Sequence, residues 1–220
     1  MYASEYQLRQ ELIRVTRIVT EQGLVCSSDG NISMRLDDNH FLMTPTGLYK
    51  MGMATEDPIV VNWEGEVIKG KPGYQPTSEF KMHLEVYRQR PDLNAVLHAH
   101  PPYCIALTVA NIPFPTTLVP EVLMAIGEVP TAPYARPGTE DLVSSVSDLI
   151  VDHDSILLSH HGSVNASETL EGALIALERM EHTAKIYYLA SSMGELVPLP
   201  ADEIQALKTM GETRREKTAM

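Results

Sequence analysis

Short strands that double back on themselves, followed by amphipathic helices, constrain this chain more than any other feature. Ile32–Leu36 and His40–Met43 flank the turn Asp37-Asp38-Asn39, and Ile59–Asn62 and Glu66–Lys69 flank Glu64-Gly65. Both patterns predict hairpins, whose strands pair antiparallel. Residues 4–22 predict a helix: Ser4 is an N-cap, Leu8, Leu12, Val15, Ile18 and Val19 recur at helical spacing, and Gly23 ends it. Residues 77–89 predict a second, capped by Thr77 or Ser78, with Phe80, Leu84 and Tyr87 as its apolar stripe and Pro91 beyond its end. Residues 93–100 then read as a strand stopped by Pro101-Pro102, and a helix follows to Ala110. Strands are expected at 129–132 and 156–158. Helices are expected at 139–152, capped by Thr139, and at 168–192, with a polar helix or tail from 201. The fold class is therefore α/β, with an antiparallel or mixed sheet covered by helices rather than a parallel Rossmann sheet. No dinucleotide glycine fingerprint and no GKS/T phosphate loop is present.

The 220 residues carry no repeat and no long linker, so one domain spanning 1–220 is expected. A formal net charge of −12 argues against nucleic acid and against an anionic membrane surface. It leaves room for a small phosphorylated substrate, which backbone N–H groups and hydroxyls hold locally. Cys26 and Cys104 suggest no disulfide framework. With no signal-peptide core at the N-terminus and no apolar run of membrane-spanning length, a cytoplasmic location is expected.

The candidate chemistry centres on "LHAHPPY". On a strand, residues i and i+2 point the same way, so His98 and His100 can chelate one ion at a strand end. They can equally be an edge residue and a hydrogen-bonded core histidine. His160 and His161 close another apolar strand before Gly162, and one of them would supply the third ligand of a catalytic zinc site. Strand alternation allows at most one of the two. Among the other histidines, His83 is expected on its helix near the site, and His40, His153 and His182 in solvent. Glu79, in the first turn of its helix, suits either the helix dipole or a metal cavity. "SDGNIS", "TPTG" and the hydroxyls of "TS" suit a phosphate cradle or ordinary turns.

Six blocks occur in a fixed order: "GNIS", "TPTG", "PTSE", "HAH", "APYARPGT" and "SHHG". Together, over residues 5–192, they resemble the class II, zinc-dependent sugar-phosphate aldolases of the aldolase/epimerase/adducin-head superfamily, on the fuculose-phosphate aldolase branch. The resemblance implies a three-layer α/β/α fold around a mixed, mainly antiparallel sheet. It implies that His98, His100 and His161 bind zinc, and that Glu79 both coordinates the empty metal and acts as the base. It implies that Ser28, Asn31, Thr46, Gly47, Thr77 and Ser78 hold the substrate phosphate, and that Tyr134 is a catalytic acid. The implied reaction is reversible cleavage of a ketose 1-phosphate, L-fuculose 1-phosphate or a related deoxy-pentulose or hexulose phosphate. The products would be dihydroxyacetone phosphate and an aldehyde, formed through a metal-stabilised enediolate. Mn²⁺, Co²⁺ or Fe²⁺ also suits the ligand set. A homotetramer with sites at subunit boundaries is implied as well. Alternatives on the same fold are a pentulose-phosphate 4-epimerase, a methylthioribulose-1-phosphate dehydratase and a non-enzymatic adducin-like interaction module. The sequence departs from the family where a C-terminal tyrosine is expected, since Met210 stands there. A thioether in that place suits an aldehyde with a less polar tail.

Overall fold

The computed structural model of the protein describes residues 4–218, with side chains described throughout except at 212 and 214–218. Its strands are β1 (Asn31–Arg35), β2 (Phe41–Met43), β3 (Ile59–Val61), β4 (Val67–Lys69), β5 (Ala95–Ala99), β6 (Thr131–Ala132), β7 (Ser155–Leu158) and β8 (Gly162–Ser167). They form one sheet in the order β4-β3-β2-β1-β5-β8-β7-β6. Every neighbouring pair is antiparallel except β6 and β7. The helices are α1 (Glu5–Glu21), α2 (Phe80–Gln89), α3 (Pro102–Val109), α4 (Pro120–Ala125), α5 (Glu140–Ile150), α6 (Leu170–Met193) and α7 (Ala201–Thr218).

Strand alternation sorts the core into two apolar layers. Phe41, Met43, Val61, Val96 and Val164 face one way, against Leu84, Tyr87, Leu142 and Val146 of α2 and α5. Leu42, Val60, Ile32, Met34, Ala95, Leu97 and Ala99 face the other way, against Leu12, Val15, Val19, Leu174 and Leu177 of α1 and α6. The result is the expected α/β/α arrangement around a mixed, mainly antiparallel sheet. Burying each large aliphatic or aromatic side chain in these layers contributes about 1.5–3 kcal/mol of transfer free energy. Both predicted hairpins form, and Ser4 caps α1 through a reciprocal capping box with Gln7.

Local rules and structure part company in a few places. Helix α2 starts at Phe80, with Glu79 in the N-cap position and no side-chain cap, so neither Thr77 nor Ser78 caps it. A bridge between Pro45 and Pro76 holds the approach to the helix extended, and the Thr77 hydroxyl accepts from the Glu79 N–H at 3.4 Å. Thr139 stands at the start of α5, but its hydroxyl donates to the Arg136 carbonyl instead of capping. Strand β8, "GSVNAS", has little β-propensity, and β7 and β5 impose its conformation by pairing along both its edges. Helix α4, also unforeseen, is a short apolar turn begun by Pro120 at its first position. Among the described residues no helix is long and apolar enough to cross a membrane.

Candidate metal centre and its cavity

β5 is buried along its whole length, and His98 is its one polar side chain. A buried imidazole in an apolar strand is costly unless it is hydrogen-bonded. His98 meets that need by donating from Nδ1 to the Ser163 carbonyl of β8 at 2.9 Å. Its Nε2 then carries a lone pair rather than a proton, 3.0 Å from His100 Nε2. His100 lies one residue beyond the strand, its backbone N–H tied to the Leu24 carbonyl at 2.8 Å, just before Pro101 and Pro102 turn the chain into α3.

His161 arrives from the β7–β8 turn, not from a strand. His160 takes the left-handed conformation there, with φ of 57°, and its side chain points to solvent beside Tyr134. That turn selects His161, and the ligand atoms of His98, His100 and His161 all lie within 4.8 Å of one another. Gly162 makes the approach feasible: a Cβ there would fall 2.2 Å from the Ala99 carbonyl and 2.9 Å from the His100 ring. Burial pushes all three imidazoles below their ordinary range, His98 furthest, and for His98 and His100 their histidine neighbours add to the effect. They are neutral at pH 7.

Glu79 completes the cluster. Its carboxylate is buried, with Oε2 3.2 Å from His98 Nε2 and Oε1 3.5 Å from His161 Nε2. Oε1 has no hydrogen-bond partner. The His98 Nε2 lone pair and the Glu79 carboxylate converge in a buried space, an arrangement that a cation among them would stabilise. Three nitrogens and one carboxylate oxygen are the donors that a catalytic zinc site uses, so the residues fit a divalent ion.

A cavity of about 410 Å³ opens beside the triad. All six residues expected to hold phosphate line it: Ser28, Asn31, Thr46, Gly47, Thr77 and Ser78, together with Glu79, His100 and His161. Gly30 lets the first loop lie directly on β5. It has φ of 67°, and a Cβ there would meet the His98 carbonyl at 3.0 Å and Val25 at 2.6 Å.

Two charged residues to which the sequence expectations give no role, Asp29 and Lys50, also line the cavity. Lys50 is 4% exposed and donates from Nζ to the Ser28 carbonyl at 2.8 Å. Burial lowers its ammonium to about 8, against the opposing pull of Asp29, so it remains charged at pH 7. Nothing in "TGLYKMG" marks this lysine; the 3₁₀ turn Lys50–Gly52 brings it inside. Tyr134 lies on the loop after β6, is 65% exposed and does not line the cavity, whereas Pro137 of the same loop does. Met210 lies on α7 and is 60% exposed.

Glu79, His83 and Tyr87 are spaced by four along α2 and its cap, while Asn31 and Ser33 are spaced by two along β1. Four helical residues rise about 6 Å and two strand residues about 6.8 Å, so the two rows run nearly in step. They interlock. Asn31 Nδ2 donates to Glu79 Oε2 at 2.9 Å, and Asn31 Oδ1 lies 2.5 Å from His83 Nε2. Ser33 Oγ lies 2.7 Å from His83 Nδ1 and 2.8 Å from the Tyr87 hydroxyl. Burial pushes His83 down to about 3. His83 thus sits near the site, as its place in the sequence suggests. Ser33 and the polar end of Tyr87 were not foreseen, though E-x₃-H-x₃-Y and N-x-S carry the signal. His40 pairs with Asp37, His182 is exposed and His153 is half-buried away from the triad.

Residues 10–188 match the family described as "Class II Aldolase and Adducin N-terminal domain". A 5-deoxy-D-ribulose 1-phosphate aldolase of Bacillus thuringiensis serovar kurstaki is 33% identical over 201 residues, covering 90% of this chain and 92% of the relative. A 3-oxo-tetronate 4-phosphate decarboxylase of Escherichia coli K12 is 32% identical over 211 residues, covering 93% of this chain and 97% of the relative. A solved L-fuculose 1-phosphate aldolase superposes with a TM-score of 0.85 at 31% identity, covering 97% of this chain and 98% of that one.

Proposed function

Because the chain belongs to the class II aldolase and adducin N-terminal domain family and is an enzyme of the aldolase type, we propose a specific reaction for it. It is the reversible cleavage of a ketose 1-phosphate to dihydroxyacetone phosphate and an aldehyde. The observation that carries this reading is the cavity itself, where His100, His161 and Glu79, clustered with the buried His98, line a hydroxyl- and glycine-rich recess.

His98, His100 and His161 hold the divalent ion, zinc in our reading, with Glu79 beside it. When bound, that ion supplies Lewis acidity for the negative charge that develops on the substrate oxygens. Ser28, Asn31, Thr46, Gly47, Thr77 and Ser78 grip the phosphate, and Lys50 adds a buried positive charge. This anchorage fixes the reacting carbons relative to Glu79, converting binding energy into orientation. In the synthetic direction Glu79 Oε1 removes the proton from the hydroxymethyl carbon of dihydroxyacetone phosphate. The resulting carbon nucleophile attacks the aldehyde, and Tyr134 donates a proton to the new alkoxide. Cleavage runs the same transfers in reverse.

Tyr134 and Met210 are both largely exposed, and a homotetramer with sites at subunit boundaries would cover them. In that assembly Met210 borders the aldehyde's tail and favours an apolar one. We assign the enzyme to the cytoplasm and to sugar-phosphate metabolism.

The test is a coupled assay for dihydroxyacetone phosphate release across a panel of ketose 1-phosphates, with and without metal. Metal-dependent release, greatest for sugars with a methyl or other apolar end, is expected. No release from any ketose 1-phosphate overturns the reading.

The decarboxylase relative, nearly as similar as the aldolase one, favours one second reading. Loss of CO₂ from a 3-oxo acid leaves the same kind of electron-rich carbon, which Glu79 would then protonate. Evolution of CO₂ from a phosphorylated 3-oxo acid, without aldehyde, would establish it.

A further inference from the structure

Asn31 presents one end of its amide to Glu79 and the other to His83. The two ends are nearly equal in size and opposite in polarity, so the neighbours decide which end faces the carboxylate. His83 is fully buried and neutral, with a single N–H to give. Ser33 and Tyr87 each bring one hydroxyl proton.

With Glu79 ionised, one ordering of these protons gives each inter-residue contact one donor and one acceptor. The Tyr87 hydroxyl donates to Ser33 Oγ, at 2.8 Å. The Ser33 hydroxyl donates to His83 Nδ1, at 2.7 Å. His83 Nε2–H donates to Asn31 Oδ1, at 2.5 Å. Asn31 Nδ2–H donates to Glu79 Oε2, at 2.9 Å. The reverse ordering requires Glu79 to donate, which an ionised carboxylate cannot do. All the participating side chains are buried, so bulk water does not substitute for a missing partner.

We propose that Tyr87, Ser33 and His83 are positioning residues for the catalytic carboxylate. They lock the Asn31 amide with its N–H toward Glu79, which fastens Oε2 and reserves Oε1 for proton transfer. The contact pattern supports this division, since Oε2 accepts a hydrogen bond and Oε1 has none. Without the His83 N–H, Asn31 Oδ1 loses its partner and the amide is held at its Glu79 end alone. The proposal rests on Glu79 being the base.

The test joins a spectroscopic arm to a kinetic one. In ¹⁵N-histidine-labelled, metal-loaded protein, His83 is expected as the neutral Nε2–H tautomer, unchanged between pH 6 and 9. An Nδ1–H tautomer overturns the proposal. In the kinetic arm, His83→Phe removes the donor, and His83→Gln keeps an N–H near the Nε2 position. His83→Phe is expected to lower kcat by roughly ten- to a hundred-fold, the usual range for supporting partners of a site. KM should stay within about twofold, and bound metal should be retained. His83→Gln should recover most of that loss. Wild-type kcat in His83→Phe, or equal losses in the two variants, overturns the proposal. Should His83→Phe fail to fold, Tyr87→Phe carries the kinetic arm, and wild-type kcat in it counts equally against the idea. A wild-type protein with no aldolase turnover defeats the functional reading alone, because the tautomer still decides the direction of the chain of bonds.

Discussion

The molecule has a larger cavity than the one beside the triad, and the two differ in what their polar groups are doing. The larger, about 1100 Å³, lies along α6 and the start of α3, with Leu24, Val119, Ile175 and Ile186 among its walls. Several of its polar groups are already engaged with one another or with the backbone. Glu181 accepts from the N–H groups of Tyr103 and Cys104 and so satisfies the start of α3. Gln22 donates to Glu178 at 2.6 Å, and Lys185 lies over the Tyr103 ring. The smaller cavity, about 410 Å³, is lined by Glu79, whose Oε1 has no partner, by the neutral imidazoles of His100 and His161, and by the buried ammonium of Lys50. Volume records where packing stops. Buried groups that converge without satisfying one another record where something else is meant to bind.

This contrast can be broken by substitution. The largest effect is expected from His98→Ala, which should abolish both stoichiometric metal binding and turnover, read by elemental analysis and by dihydroxyacetone phosphate release. Glu79→Gln should keep its metal yet lose about 10²–10⁴-fold in kcat, the range general-base catalysis covers. A Glu79→Gln enzyme at full rate would remove the base from the scheme. Lys50→Met should raise KM and the inhibition constant for inorganic phosphate about tenfold, with kcat within threefold. Equal changes for unphosphorylated substrate analogues would point to a structural role for Lys50 instead.

Acid stability gives a further measure. The His83 imidazole is held near 3 in the folded state against about 6.5 when unfolded, so below that value the unfolded chain binds more protons. Stability is then retained above about pH 6.5 and falls as pH decreases, by about 1.4 kcal/mol per pH unit for each such histidine until the folded value is reached. His98 acts in the same direction. Metal-free His83→Gln should show a stability–pH slope smaller by one proton between pH 6 and 4 in urea titrations. The smallest effect is expected in the larger cavity: Gln22→Ala should leave kcat/KM within twofold. A tenfold loss there would show that size had been the better guide.

Much of this contrast can be read in the sequence, but unevenly. Hairpins announce themselves through turn residues, and so do proline stops, which is why β1 to β4 and the end of β5 were legible. The histidine cluster was legible because H-x-H and "SHHG" place imidazoles at strand ends. Strand alternation could not choose between His160 and His161, because the choice is made by one left-handed residue in a turn. β8 was hidden because its conformation comes from its neighbours and not from "GSVNAS". Lys50 was hidden because a buried lysine and a surface lysine look alike until the backbone turns. Tyr87 was read as apolar, and its ring does pack in the core against Phe41, so the reading was incomplete rather than misplaced.

The pairing of β1 with β5 sets Asn31 opposite His98. A slip of one residue would turn Asn31 and Ser33 to the α1 and α6 side and leave Ile32 and Met34 facing α2. The supporting side chains of Glu79 and the first histidine of the cluster are therefore aligned by one and the same set of backbone bonds. An ion that required the full cluster would bind the correctly paired chain and not its slipped neighbours, and would stabilise that chain by an amount that grows with the logarithm of its affinity. In the cell the metal would act as an inspector of assembly as well as a reagent.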